Sequence, residues 1–377
     1  MDRSSISSRV SKKHVFGVVL GTLITGTINS LIFKEQDRVH NKDNKAFFHP
    51  IVQTFLMFLA EMLALFVFFC SMKFSINFKN DYVIKREEAR RVGVIIKTSP
   101  LLPLLPSLID LFGSTFQFIS IFSMDPSLYV MLRGGVPITT AIFSVLFLEN
   151  KLYAHHNVGL ISVALGVGLV GFVELSQEGQ GSSKALKGLL FGLGSLVTTG
   201  IQYVVEERVL SKYFFHPLRL VGFEGLWGIL LGAGAVAIAH FIPCSATSEF
   251  CNNGTFENLG NAVSFIFGDV HLLLLIIIAL INSSFFNFFG ISITKHVSPL
   301  TRTTISVLVT CLVWVYSMIW LGHKFYILQL VGFAFIVLGN LIYQEIIEIP
   351  GLNNNTRKNQ ERRALFNESL AIEDDDD

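Results

Sequence analysis

HPIVQTFLMFLAEMLALFVFFCSM, residues 49–72, decides the fold. The run carries one formal charge, Glu61, between long stretches of Phe, Leu and Met. As a helix rising about 1.5 Å per residue, it is longer than the roughly 30 Å hydrocarbon core of a bilayer. Helix is the expected form, because in lipid each backbone N–H and C=O must be satisfied within its own segment.

Working outward, similar runs occur at approximately 15–33, 99–123, 127–148, 156–174, 186–206, 218–241, 269–292, 299–321 and 325–345. The chain therefore reads as an all-α polytopic membrane protein with about ten transmembrane helices. Composition agrees: 51% of residues are hydrophobic, 35 are Phe, and 15% are charged, against about 25% in soluble domains. The short alternating segments of a β-barrel are not seen. The first 14 residues are polar and basic, without a small-residue cleavage site, so the first run is expected to be a retained helix. The net charge of +1 points to no partner, and no nucleic-acid motif appears.

Lys and Arg set the expected orientation. With a cytosolic N-terminus, 21 of them fall on the cytosolic side and 7 on the other; Arg133, inside a span, completes the 29. Seven of the 21 lie in residues 73–98. Both termini are then cytosolic, and the loop from about 242 to 268, free of Lys and Arg, is lumenal. That loop contains Cys244, Cys251 and the acceptor triplet beginning at Asn253. A Cys244–Cys251 disulfide and a glycan on Asn253 are expected there; the alternative is two free cysteines and an unused triplet. The stretch from Leu352, ending EDDDD, reads as a disordered tail.

The chain also repeats itself. FFHP occurs at Phe47–Pro50 and Phe214–Pro217, each time beginning a span. LENKLYAHHNVGLISVALG (148–166) aligns with LGHKFYILQLVGFAFIVLG (321–339) at an offset of 173, pairing Gly159 with Gly332 and Gly166 with Gly339. The expected organisation is a tail (1–14), a first five-helix repeat (15–175), a second (186–345) and a cytosolic tail (346–377). Five spans is an odd number, so the repeats must be inverted. Inverted repeats are a recurring transporter design, with the substrate site near the midplane.

Several segments carry a family resemblance: FFHPIVQTFLMFLAE (47–61), LPSLIDLFGSTF (105–116), YVMLRGGVPITTAIFSVLFL (129–148), HPLRLVGFEGLWG (216–228) and FFNFFGISITKHVSPLTRTT (285–304). In these the chain resembles the drug/metabolite transporter superfamily in its EamA-like, nucleotide-sugar-transporter-like form, and within it the F subfamily of solute carrier family 35. The chloroquine-resistance-type transporters look like more distant relatives; they too carry cysteines between the seventh and eighth helices. The resemblance implies a ten-helix, inverted-repeat solute carrier of an endomembrane, lysosomal or Golgi. It departs from the family in the ninth helix, where Ser306 and Val309 stand at the positions of an acidic and a basic residue.

Ionisable groups within spans cost about 2.5–3.5 kcal/mol on insertion scales, so they are functional candidates by default. Here they are Glu61, Asp110, Arg133, Glu206, Glu224 and Arg302, joined by the neutral Asn29, Gln117, Gln202 and Asn287. These ten form the expected substrate or coupling set. Arg133 reads either as a cavity residue or as a structural counter-charge to Asp110 or Glu61. Glu206 reads either as a cavity residue or as a solvated interface residue. The neutral amides are equally suited to gluing helices together.

No phosphate loop, metal-ligand cluster or nucleophile–base arrangement stands out, so no enzyme activity, metal or cofactor is expected. His155 and His156 lack a companion ligand in the sequence. The leading reading is secondary-active transport of a small organic solute, proton-coupled or by exchange. The alternative is a non-transporting scaffold or receptor. Partners expected are a small-molecule substrate and membrane lipid, with a homodimer and tail-bound proteins as further candidates.

Overall fold

A computed structural model describes residues 12–40, 46–124, 126–148, 152–176, 182–244, 251, 254–296, 299–320, 327–347 and 349. The expected tails, Asn253 and part of its loop lie outside the described residues.

In chain order the helices are α1 (Lys12–Arg38), α2 (Pro50–Phe74), α3 (Ile76–Arg91), α4 (Leu104–Ser123), α5 (Pro126–Arg133), α6 (Val136–Leu148), α7 (Ala154–Ser176), α8 (Ser182–Lys212), α9 (Pro217–His240), α10 (Leu259–Gly268), α11 (Val270–His296), α12 (Pro299–Trp320) and α13 (Ile327–Tyr343). The protein is an all-α polytopic membrane protein. Eight spans among the described residues are long and apolar enough to cross a bilayer. They are α1, α2, α4, α5 with α6, α7, α8, α9 and α11. The ninth and tenth expected spans correspond to α12 and α13, whose described apolar stretches, Ile305–Tyr316 and Ile327–Tyr343, are shorter.

The structure departs from the sequence reading in three places. The fourth span is broken into α5 and α6. Pro137 has no N–H to give the Arg133 carbonyl, and two tight turns, Gly134 N to Met131 O and Gly135 N to Leu132 O, both 2.9 Å, close the first half. The basic stretch 73–98 is largely helix α3, started by Ser75, whose Oγ accepts from Phe78 N at 3.3 Å. The expected loop 242–268 contains the short helix α10.

The packing has a regular pattern. α1 packs on α11, α4 on α8, α2 on α9, α5 on α12 and α7 on α13. Exchanging the first span with the sixth, the second with the seventh, and so on to the fifth with the tenth leaves this set unchanged. The weaker contacts follow the same rule: α6–α8 exchanges with α1–α12, and α2–α11 with α4–α9.

The crossing of α7 and α13 has the same symmetry in atomic detail. A methyl on Gly159 would lie 2.7 Å from the Gly339 carbonyl oxygen, and one on Gly166 would lie 2.5 Å from that of Gly332. Glycines aligned by the 173 offset thus exchange partners across the crossing. Glycine is required because backbone meets backbone there.

Candidate functional site

One cavity collects the intramembrane polar residues singled out in the sequence. It encloses roughly 720 Å³, its open mouth included, and is walled by α1, α2, α4, α5, α8, α9, α11 and α12. Asn29, Glu61, Asp110, Gln117, Arg133, Gln202, Glu206, Glu224, Asn287 and Arg302 all line it. All ten sequence candidates, spread over 274 positions, therefore meet at one place.

Small residues bring the acidic side chains together. Gly225 on α9 lies against the backbone of Glu61 and Met62 on α2, and Gly222 lies against Leu65. The two helices cross where they carry Glu61 and Glu224. Ser107 ties α4 to the same crossing by donating to the Glu224 carbonyl at 2.9 Å. Glu61 Oε1 accepts from Asn287 Nδ2 at 2.6 Å. Asp110 Oδ1 accepts from Ser114 Oγ at 2.8 Å. Glu61 Oε2 and Glu224 Oε1 are buried and accept no hydrogen bond among the described residues.

The fourth carboxylate, Glu206, is 1% exposed and bonds Arg302 Nη1 at 2.9 Å. Arg302 also stacks on Tyr203, its guanidinium carbon 4.5 Å from the ring centre. Gly290 makes room for it; a methyl there would lie 3.1 Å from Arg302 Nε. Arg133 stands apart. Among the described residues it has no carboxylate partner within ion-pair distance, so the counter-charge reading of Arg133 does not describe this arrangement.

Arg133 also lines a second chamber of about 580 Å³, shared along Asn29, Phe33, Gln117 and Phe286. Its other walls include Ser30, Tyr129, Ser306, Val309 and Thr310. Among the described residues Arg133 is the one charged residue lining it. Arg133 ends the half-helix α5, where a cation is favourable because the last carbonyls point at it.

The nucleotide-sugar transporter family profile matches residues 13–214. A curated relative, solute carrier family 35 member F6 of Pongo abelii, is 30% identical over 88% of this chain and 89% of its own length. The Mus musculus protein of the same name is 31% identical over 85% and 86%. The chain belongs to the nucleotide-sugar transporter family. It is an integral membrane transporter of the solute-carrier kind. A solved crystal structure, 14% identical with a TM-score of 0.50, covers 89% of this chain and 99% of its own and shares the fold.

Sequence reasoning missed several buried polar groups of this transporter. Gln36, Asp37 and Gln53 form a cluster between α1 and α2, with Gln53 Nε2 3.3 Å from Asp37 Oδ1. Glu257 is fully buried against His49. The companion for His155 and His156 is Glu345, whose Oε1 lies 3.1 Å and 3.7 Å from their Nε2 atoms. This trio has the composition of a metal site, but its hydrogen bonding argues otherwise. His156 Nδ1 accepts the Tyr153 N–H at 3.0 Å, which puts the neutral ring's proton on Nε2, facing Glu345. The trio clasps the start of α7 to the end of α13. Only long-range pairing reveals it, since Glu345 is 190 positions from His155.

Proposed function

We propose that the chain is a secondary-active carrier of a small organic solute, working by alternating access around the acidic cavity and coupled to protons through Glu61 and Glu224. The observation that carries this reading is the pair of orphaned carboxylate oxygens, Glu61 Oε2 and Glu224 Oε1, at one helix crossing. Buried polar atoms are normally partnered, so each calls for a proton or a ligand donor. The charge balance agrees, with four carboxylates against two guanidiniums. The exchange symmetry of the packing supports two inverted five-helix repeats that rock about the cavity.

In this reading both termini are cytosolic, following the Lys and Arg bias. The hairpin carrying Cys244 and Cys251, which are disulfide-bonded in the structure, faces the lumen of an endomembrane, with a glycan on Asn253.

The test is uptake into proteoliposomes by purified full-length protein, with an amine, an amino acid, a dicarboxylate and a nucleotide sugar as probes. At least one probe should accumulate when a pH gradient is imposed and should leak away when the gradient is collapsed. Glu61→Gln and Glu224→Gln should each remove most of the gradient-driven accumulation. Uptake of no probe above protein-free vesicles would overturn the reading.

A further inference from the structure

The family's name points to nucleotide sugars, whose diphosphate is anionic, yet the cavity walls carry an excess of carboxylates. Glu206 already holds Arg302 at 2.9 Å, which leaves Glu61, Asp110 and Glu224 facing the cavity with no cation bonded to them among the described residues. Two of them are orphaned at one oxygen. A diphosphate placed here meets like charge in a poorly screened interior. An ammonium group instead gives the orphaned oxygens the donors they lack.

Arg133 adds the second requirement. It keeps its charge at any physiological pH, has no carboxylate partner among the described residues, and lines both the acidic cavity and the second chamber. That chamber is otherwise lined by hydroxyl, amide and apolar groups. An unpaired guanidinium in such a place suits a carboxylate, which it can hold through two parallel hydrogen bonds. Phe33 and Phe286 wall both spaces, so an apolar body carried beside the two charged groups is in an apolar, aromatic setting.

We infer that the transported solute is an ampholyte with an apolar body, an amino acid or small peptide in chemical class, its ammonium held at Glu61, Asp110 and Glu224 and its carboxylate at Arg133. The inference rests on the transport reading above. A cation without a carboxylate leaves Arg133 unanswered, and an anion without an amine leaves the three carboxylates unanswered.

Four probes separate these cases: phenylalanine, phenethylamine, 3-phenylpropionate and UDP-glucose. The first three share one body and differ only in charged ends. Counterflow in proteoliposomes should rank phenylalanine about tenfold or more above each of the others, the scale of one charge-assisted hydrogen-bonded contact. Arg133→Gln should shrink the preference for phenylalanine over phenethylamine to about twofold, and Arg133→Lys should restore part of it. Asp110→Asn should shrink the preference for phenylalanine over 3-phenylpropionate.

The wild-type ranking decides even if a variant does not fold. Preference for UDP-glucose or 3-phenylpropionate overturns the proposal. So does an unchanged phenylalanine-to-phenethylamine ratio in Arg133→Gln, or transport of other solutes with none of these four. Absence of all transport counts against the carrier reading instead.

Discussion

The two FFHP motifs begin equivalent helices and solve the same problem by different chemistry. At the start of α9, His216 caps its own helix, with Nδ1 accepting from Leu218 N at 3.3 Å. Its ring lies among Phe68, Phe78 and Tyr82, with centroids 5.5, 5.1 and 6.3 Å away. At the start of α2, His49 makes no cap of its own. It bonds instead to Glu257 Oε1, while Glu257 Oε2 accepts from Ile51 N at 3.1 Å. A carboxylate 206 positions away thus satisfies the first turn of α2.

In both motifs Pro follows His as the first helical residue, where its missing N–H costs nothing. The difference lies in what covers each end. α2 and α3 close over His216 with aromatic rings, whereas a disulfide-bonded hairpin closes over His49 with a carboxyl group. A repeated motif therefore fixes where a helix begins, and its surroundings decide how the exposed N–H groups are met.

The largest test of this comparison is Glu257→Ala. His49 and Glu257 are 1% and 0% exposed, so the substitution strands a buried imidazole and the Ile51 N–H together. The loss should be about 3–5 kcal/mol, as when one partner of a buried pair is removed. Denaturant unfolding of the detergent-purified protein measures it. A loss below about 1 kcal/mol would mean that water reaches the pair freely.

The second test separates the hairpin from the carboxylate it carries. Cys244 N bonds Gly254 O at 3.1 Å, Phe256 N bonds Ile242 O at 3.0 Å, and the adjacent Glu257 turns inward. Cys244→Ser opens a loop of seven positions, worth about 2 kcal/mol in the chain-entropy account. Because the hairpin positions Glu257, this loss and that of Glu257→Ala should be less than additive. Full additivity would show that Glu257 holds its place without the disulfide.

The same contrast explains what could be seen in the sequence. The spans, the repeated FFHP and the set of intramembrane polar residues were legible because each is a local signal: an apolar run, a tetrapeptide, a charge where charge is costly. That Glu61, Asp110, Glu206 and Glu224 share one cavity follows from a general rule, since intramembrane charges avoid lipid. Which groups pair does not follow from it. Arg302 rather than Arg133 takes Glu206, a choice set by the stacking face of Tyr203 and the space at Gly290. Glu257 was hidden for another reason: it lies in a segment read as a loop, where a carboxylate is ordinarily solvated. The fourth span divides at Gly134, Gly135 and Pro137, helix-breaking residues that stand inside one apolar run.

The smallest effect is expected at His216, and it tests the self-capping half of the comparison directly. Asn is among the best N-cap residues, so His216→Asn keeps an acceptor for Leu218 N while removing the ring from between Phe68, Phe78 and Tyr82. Aromatic contacts of this kind contribute about 0.5–1.5 kcal/mol beyond area burial, and the site is only partly buried. The loss should therefore be about 1 kcal/mol. His49→Asn should lose about twice that or more, because the shorter side chain leaves the buried Glu257 Oε1 without its hydrogen-bond partner. Thermal unfolding of the two variants side by side in one detergent ranks them. Equal losses would mean that both histidines serve only as ring-shaped packing, and that the carboxylate at the first turn of α2 adds nothing the aromatic cover of α9 does not supply. A larger loss at His216 would reverse the assignment and make the aromatic cover of α9 the tighter closure.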